Sequence, residues 1–278
     1  MEYLTVLFWS SVGSVFSLVG GVAMVSSARL RQLAVRFGLP FGAGALLAAA
    51  FVGVLPEAMH GMAASDALLF SLGGFLAFFM LERGLSWFHN HDHYHRSSRK
   101  HTEQRNRLHQ WLVIIGDTLH NAIDGVAIGA AFLVNPAAGI GTAIAVAAHE
   151  IPQEIGDFSI LLGKGMRPRM VILVNLLSAL ATVIAALSTF ALGSALDINP
   201  APLLAVAAGF FIYIAASDII PGIHEKPRYE GNIQAAMLLV GVVLISIIIA
   251  ANSHDHSLDR GHDNHSGDSH HEHDHYER

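Results

Sequence analysis

Apolar residues in this chain gather into runs of about twenty, long enough to cross a hydrocarbon core as single helices. Short polar stretches separate the runs. Eight are legible, at 4–26, 38–60, 66–88, 110–133, 138–163, 169–192, 201–222 and 232–251. The predicted fold class is therefore all-α: a polytopic membrane protein with eight transmembrane helices in one domain over residues 1–251. Several runs are rich in Gly and Ala, as in GAGALLAAA at 42–50. Small residues let helix backbones approach closely in lipid, where dispersion contacts drive association.

Composition agrees with this pattern. Hydrophobic residues make up 53% of the 278 residues and charged ones 14%, against about 25% charged in a soluble domain. The absence of cysteine excludes disulfides and thiolate metal sites. Charge then sets orientation. Every Lys and Arg except Arg260 and Arg278 falls in the 27–37, 83–109, 164–169 or 226–228 region. The opposite connections, 61–65, 134–137 and 193–200, carry none. The basic side is cytoplasmic by the positive-inside rule, which places both termini outside. Met1-Glu2-Tyr3 has no basic leader pattern, so the first run is read as a retained helix. Short loops, small size and the lack of cysteine fit a bacterial inner membrane, with an organelle membrane as the alternative.

Two segments stand apart. Residues 89–109 hold six histidines, and the tail over 252–278 holds eight, interleaved with Asp and Glu. Both are predicted to be disordered and solvated. They read either as variable polar linkers or as segments that capture metal.

The candidate chemistry lies inside two of the apolar runs. Ten residues from Gln110 put His120 about 15 Å deep in a core about 30 Å thick. Eleven residues from Ala138, entering from the other side, put His149 about 16 Å deep. His120 and Asp124 are four apart and share a helix face, as do His149 with Gln153 and Glu150 with Glu154. The metal-site candidates are thus His120, Asn121, Asp124, His149, Glu150, Gln153 and Glu154, flanked by Asp117 and Asp157. Ionisable groups at this depth are costly and usually line a functional path. Imidazole with carboxylate suits Zn²⁺, with Fe²⁺, Mn²⁺ and Cd²⁺ as further candidates, better than an alkali cation. Pro152 removes one helical N–H and frees a carbonyl in the second cluster. His149-Glu150 also opens like the H-E-x-x-H of zinc proteases, but residue 153 is Gln and Pro152 interrupts the helix. The chain is therefore read as no enzyme and as having no cofactor. Its expected partners are divalent metal ions and the lipid bilayer, without nucleic acid, and with a homodimer left open. A metal exporter and a non-transporting metal sensor remain alternatives on these residues alone.

His120-Asn121-Ala122-Ile123-Asp124-Gly125 resembles the fourth-helix signature of ZIP divalent-metal transporters. His149-Glu150-Ile151-Pro152-Gln153-Glu154-Ile155-Gly156-Asp157 resembles the fifth-helix HEXPHEXGD signature of one ZIP subgroup. The resemblance implies uptake of divalent metal into the cytoplasm by alternating access, with helices four and five lining the path. It also implies two three-helix repeats of inverted topology. Pro56-Glu57-Ala58-Met59-His60 and Pro221-Gly222-Ile223-His224 would be their trace. Carried over, His120, Asn121, Asp124, His149, Glu150 and Gln153 occupy metal-site positions. Glu57 and His60 would serve the entrance, and Asp157, Asp218 and His224 the exit. Three departures stand out, the first being Ala49 and Gly53 where the second helix of that subgroup often has an Asp and a His before its Pro. Gln153 replaces the second histidine of the motif, and its neutral oxygen weakens the preference for zinc. Helix six carries no acidic residue, which predicts one main metal position.

Overall fold

The computed structural model describes residues 1–15, 18–19, 22, 27–90 and 99–259. Eight helices are labelled here among them. They are α1 (Glu2–Gly13), α2 (28–61), α3 (Ala64–Asn90), α4 (Arg99–Val134), α5 (Pro136–Gly163), α6 (Pro168–Leu196), α7 (Ala201–His224) and α8 (Arg228–Asp259). No strand occurs among the described residues. Six helices, α2, α3, α4, α6, α7 and α8, hold segments long and apolar enough to cross a membrane. The other two depart from the expected eight for separate reasons. α1 is described as a helix only to Gly13, with much of 16–26 outside the described residues. α5 is long enough, but His149, Glu150, Gln153, Glu154 and Asp157 dilute its apolar character. α4 begins at Arg99, ahead of the predicted 110, because Glu103, Gln104 and Arg105 are good helix formers. α8 likewise runs on to Asp259. Residues 91–98 and 260–278, with most of the predicted histidine-rich stretches, lie outside the described set.

The apolar outer faces bear out an integral membrane protein. Leu173, Leu177, Ile184 and Leu192 of α6 and Leu239, Val243 and Ile247 of α8 are all exposed. In water such rows would be a liability, whereas in lipid they meet like with like.

Prolines shape the helices. α2 widens into π turns at Ala34–Gly38 and Ala49–Val54, and α7 does so at Ala215–Ile219. Each π turn contains the residue four before a proline: Arg36 before Pro40, Val52 before Pro56, Ser217 before Pro221. A proline ring clashes with that carbonyl and offers it no N–H, and the wider turn relieves the clash. The N–H groups of Leu55 and Ile220 accordingly donate to the carbonyls of Ala50 and Ala215, five residues back.

The packing has a two-fold plan. Exchange α1, α2 and α3 with α6, α7 and α8, and α4 with α5, and the pattern of helix pairs maps onto itself. The pair α4–α6 becomes α5–α1, α3–α7 becomes α8–α2, and α2–α5 becomes α7–α4. The central helices α2 and α7 are more than half buried, and the peripheral α3 and α8 less than a quarter. The detail matches too. Gly44 abuts the Leu238 carbonyl while Gly241 abuts that of Phe41. Gly209 abuts the Ser71 carbonyl while Gly74 abuts that of Val206. In both crossings each glycine meets the carbonyl three residues before the other glycine, so one contact is built twice. A side chain at any of the four would push the helices apart.

Candidate metal site

α4 and α5 cross at the centre of the bundle, and four side chains meet there. His120 and Asp124 come from one face of α4, and His149 and Glu150 from α5. All four are buried: His120 is 7% exposed, His149 2%, Glu150 1% and Asp124 0%. His120 Nε2 lies 3.1 Å from His149 Nε2, 3.6 Å from Asp124 Oδ2 and 3.5 Å from Glu150 Oε1. His149 Nε2 lies 3.1 Å from Asp124 Oδ2 and 3.4 Å from Glu150 Oε1. Bonds of about 2.0–2.1 Å to a tetrahedral Zn²⁺ require ligand atoms about 3.3–3.4 Å apart. The five separations bracket that edge.

The local chain prepares these groups. His149 Nδ1 lies 3.2 Å from the Ala145 carbonyl, which can only accept, so Nδ1–H donates and Nε2 is turned to the cage with its lone pair. Pro152 deprives the Ala148 carbonyl of its helical donor. Gly42 of α2 packs against that carbonyl and against the His149 backbone, where a Cβ would stand 2.9 Å from both. A glycine is required at 42 for α2 to support this turn of α5. The carboxylate oxygens of Asp124 and Glu150 are sealed from solvent and accept no hydrogen bond of good geometry. Buried acceptors left this way cost free energy unless a cation meets them.

The other candidates are distributed differently. Asn121 is fully buried but faces α6. Its Nδ2 lies 3.0 Å from Asp117 Oδ1, 3.1 Å from the Asp117 carbonyl and 3.2 Å from Ser178 Oγ. Its Oδ1 accepts from Thr182 Oγ1 at 2.8 Å. The structure thus engages Asn121 in a closed polar network outside the four-residue cage. Gln153, Asp117 and Asp157 line a cavity of about 340 Å³ that also reaches His120 and His149. Glu154 is 1% exposed, with both oxygens unpartnered, and is not one of the four. Glu57 and His60 are 3.7 Å apart beside a separate cavity of about 260 Å³ with Asn199. Asn135 Nδ2 donates to Glu57 Oε1 at 3.4 Å. His224 is exposed at the end of α7, and Asp218 lies in its π turn with its side chain outside the described set. Sequence reasoning passed over Ser178, Thr182, Tyr213 and Glu82. Glu82 carried a usable signal, an ionisable residue inside an apolar run.

An all-helical bundle with lipid-facing flanks, built around a buried cage of two imidazoles and two carboxylates, defines a polytopic membrane protein with a candidate metal site. Residues 87–249 match the ZIP zinc transporter family model, and the chain belongs to that family. It is 41% identical over 140 residues to the zinc transporter foi of Drosophila melanogaster, covering 50% of this chain and 20% of that protein. It is 40% identical over 148 residues to mouse zinc transporter ZIP10, covering 50% of this chain and 18% of the relative. To human zinc transporter ZIP6 the identity is 36% over 169 residues, covering 56% and 22% respectively. The chain therefore spans about a fifth of the length of these relatives.

Proposed function

We propose that the protein carries divalent transition-metal cations, zinc foremost, across its membrane into the cytoplasm by alternating access around the α4–α5 cage. The observation that carries this reading is the cage itself. Two imidazole nitrogens and two carboxylate oxygens come together there, five of their separations bracket the edge of a tetrahedral zinc site, and the carboxylate oxygens accept no hydrogen bond of good geometry. His120, Asp124, His149 and Glu150 would replace part of the hydration shell of the cation. Asn121 would brace α4 without touching the metal, and Gln153 would offer a neutral oxygen at the cage edge. Fe²⁺, Mn²⁺ and Cd²⁺ are further substrates of this chemistry.

The shape of the seam supports an inward-facing state. Towards the basic-loop side, the cavity runs along α4 past Leu112, Val113, Gly116 and Asp117 to His120. Towards the other side, Ala127, Ile128, Ala131, Ala143 and Val146 are almost fully buried. With the basic loops cytoplasmic and both termini outside, Glu57 and His60 mark the entrance, and Asp157 lies on the exit. Residues 1–251 would be the transporter domain, and the histidine-rich stretches its accessory metal-capture segments.

The test is radiolabelled Zn²⁺ flux into proteoliposomes, with wild type beside His120→Ala/His149→Ala and with Fe²⁺, Mn²⁺ and Cd²⁺ as competitors. Saturable flux that vanishes in the double variant is expected. Metal binding without flux would sink transport in favour of a sensor. A fall in cellular zinc on expression would indicate export.

A further inference from the structure

The transport reading leaves one carboxylate unused. Glu82 sits in α3, within the apolar span Ala64–Gly84. It lies two residues before the end of that span, on the basic-loop side, and an ionisable residue inside a membrane span commonly faces an internal path. Glu82 does face one. It lines the same cavity of about 340 Å³ as Asp117, His120, His149 and Asp157. Among the described residues it forms no ion pair, and Arg83 beside it is exposed.

Its orientation is fixed from α7. Tyr213 Oη donates to Glu82 Oε2 at 2.6 Å, the length of a charge-assisted O–H···O⁻ bond. Tyr213 is 6% exposed, and its ring meets Phe75 and Phe78 at centroid distances of 5.1 and 5.4 Å. Phe78 in turn stands edge-on to the His120 imidazole at 5.7 Å. The aromatic stack thus sets the Glu82 carboxylate in a defined position relative to the cage. Only one acceptor site of Oε2 is taken by the phenol, and a carboxylate has about four. A cavity of this volume has room for several waters, and so for a partly hydrated cation.

We propose that Glu82, oriented by Tyr213, is a further cation-coordinating residue, which receives a divalent transition-metal ion as it leaves the His120 side of the cage. This rests on the transport reading above. A carboxylate with one oxygen held and the other open offers a weak, exchangeable ligand, the kind a path needs if the ion is to move on. Glu82 therefore acts on release more than on capture.

The experiment is Zn²⁺ flux and equilibrium Zn²⁺ binding of the full chain, comparing wild type, Glu82→Gln, Glu82→Asp, Tyr213→Phe and Asp124→Ala. Glu82→Gln is expected to lower the maximal flux about tenfold, with half-saturating zinc and bound zinc unchanged. Tyr213→Phe keeps the ring packing, loses one hydrogen bond and is expected to lower flux about threefold. Glu82→Asp, which keeps the charge, is expected to restore most of the rate. Wild-type flux in Glu82→Gln, with flux lost in Asp124→Ala, overturns this inference alone. Equal losses in Glu82→Gln and Glu82→Asp would reduce Glu82 to a packing residue and overturn it too. Flux retained in Asp124→Ala overturns the cage reading, and this one with it.

Discussion

His120 and Asn121 are neighbours on α4, both buried and both polar, and the structure treats them in opposite ways. On the α5 side of the helix, His120 and Asp124 join His149 and Glu150 in a cage whose carboxylate oxygens lack good hydrogen bonds. On the α6 side, Asn121 spends its amide on Asp117, Ser178 and Thr182, with Nδ2 and Oδ1 both engaged. A polar group inside a membrane protein is either adhesive or functional, and its hydrogen bonds tell which. Satisfied groups hold helices together. Unsatisfied ones store a cost that a ligand can remove. On this comparison we propose that the α5-facing side of α4 is the metal side and the α6-facing side structural.

The largest effects should come from the cage. Asp124→Ala removes one of four ligands and is expected to lower zinc affinity at least about 100-fold, beyond what loss of a supporting residue costs. Thermal unfolding in detergent without metal should stay put or rise, because a buried carboxylate without a good partner is gone. The two readouts move apart only if the carboxylate is there for a cation. A lowered melting temperature together with unchanged zinc binding would reverse the assignment.

Asn121→Ala should show the reverse. It leaves Thr182, Ser178 and Asp117 without their common partner, at a cost of about 1–3 kcal/mol for stranded buried groups. The melting temperature should fall, while zinc binding in equilibrium dialysis keeps the wild-type stoichiometry and shifts less than about tenfold, the lower bound for a supporting residue. Loss of zinc comparable to that in Asp124→Ala would make Asn121 a ligand.

Much of the helical plan was legible in advance, and the reasons for the failures differ. α3, α6 and α8 announce themselves by unbroken apolar length. α5 is legible as the apolar run at 138–163 too, although its own polar residues lower its hydropathy, and the His149-to-Asp157 motif lies inside it. The four-residue cage follows from two local facts, the i,i+4 pairing of His120 with Asp124 and the adjacency of His149 and Glu150. The direction of Asn121 could not follow from local facts. It depends on Ser178 and Thr182, 57 and 61 residues away. The reading of helix six looked for an acid and passed over hydroxyls, which bond an amide just as well. The π turns were half legible. Pro40, Pro56 and Pro221 each follow one by two residues, whereas Pro152 lies inside an uninterrupted α-helix.

The smallest effect gives the sharpest test of the comparison. Thr182→Val exchanges a hydroxyl for a methyl of similar size and removes the bond to Asn121 Oδ1 alone. An interhelical hydrogen bond of this kind is worth about 0.6 kcal/mol on average in a membrane protein, so the melting temperature should drop slightly and flux should stay near wild type. The value of the variant lies in what it frees. Asn121 Oδ1 is the only atom through which that side chain could bind a cation, and in this structure the Thr182 hydroxyl takes one of its two acceptor sites. If the amide is structural, unmasking the oxygen leaves zinc affinity and stoichiometry as they were. A rise in affinity, or a second bound ion by dialysis, would mean that Thr182 holds a latent ligand in check and that the two faces of α4 are closer in kind than their hydrogen bonds imply.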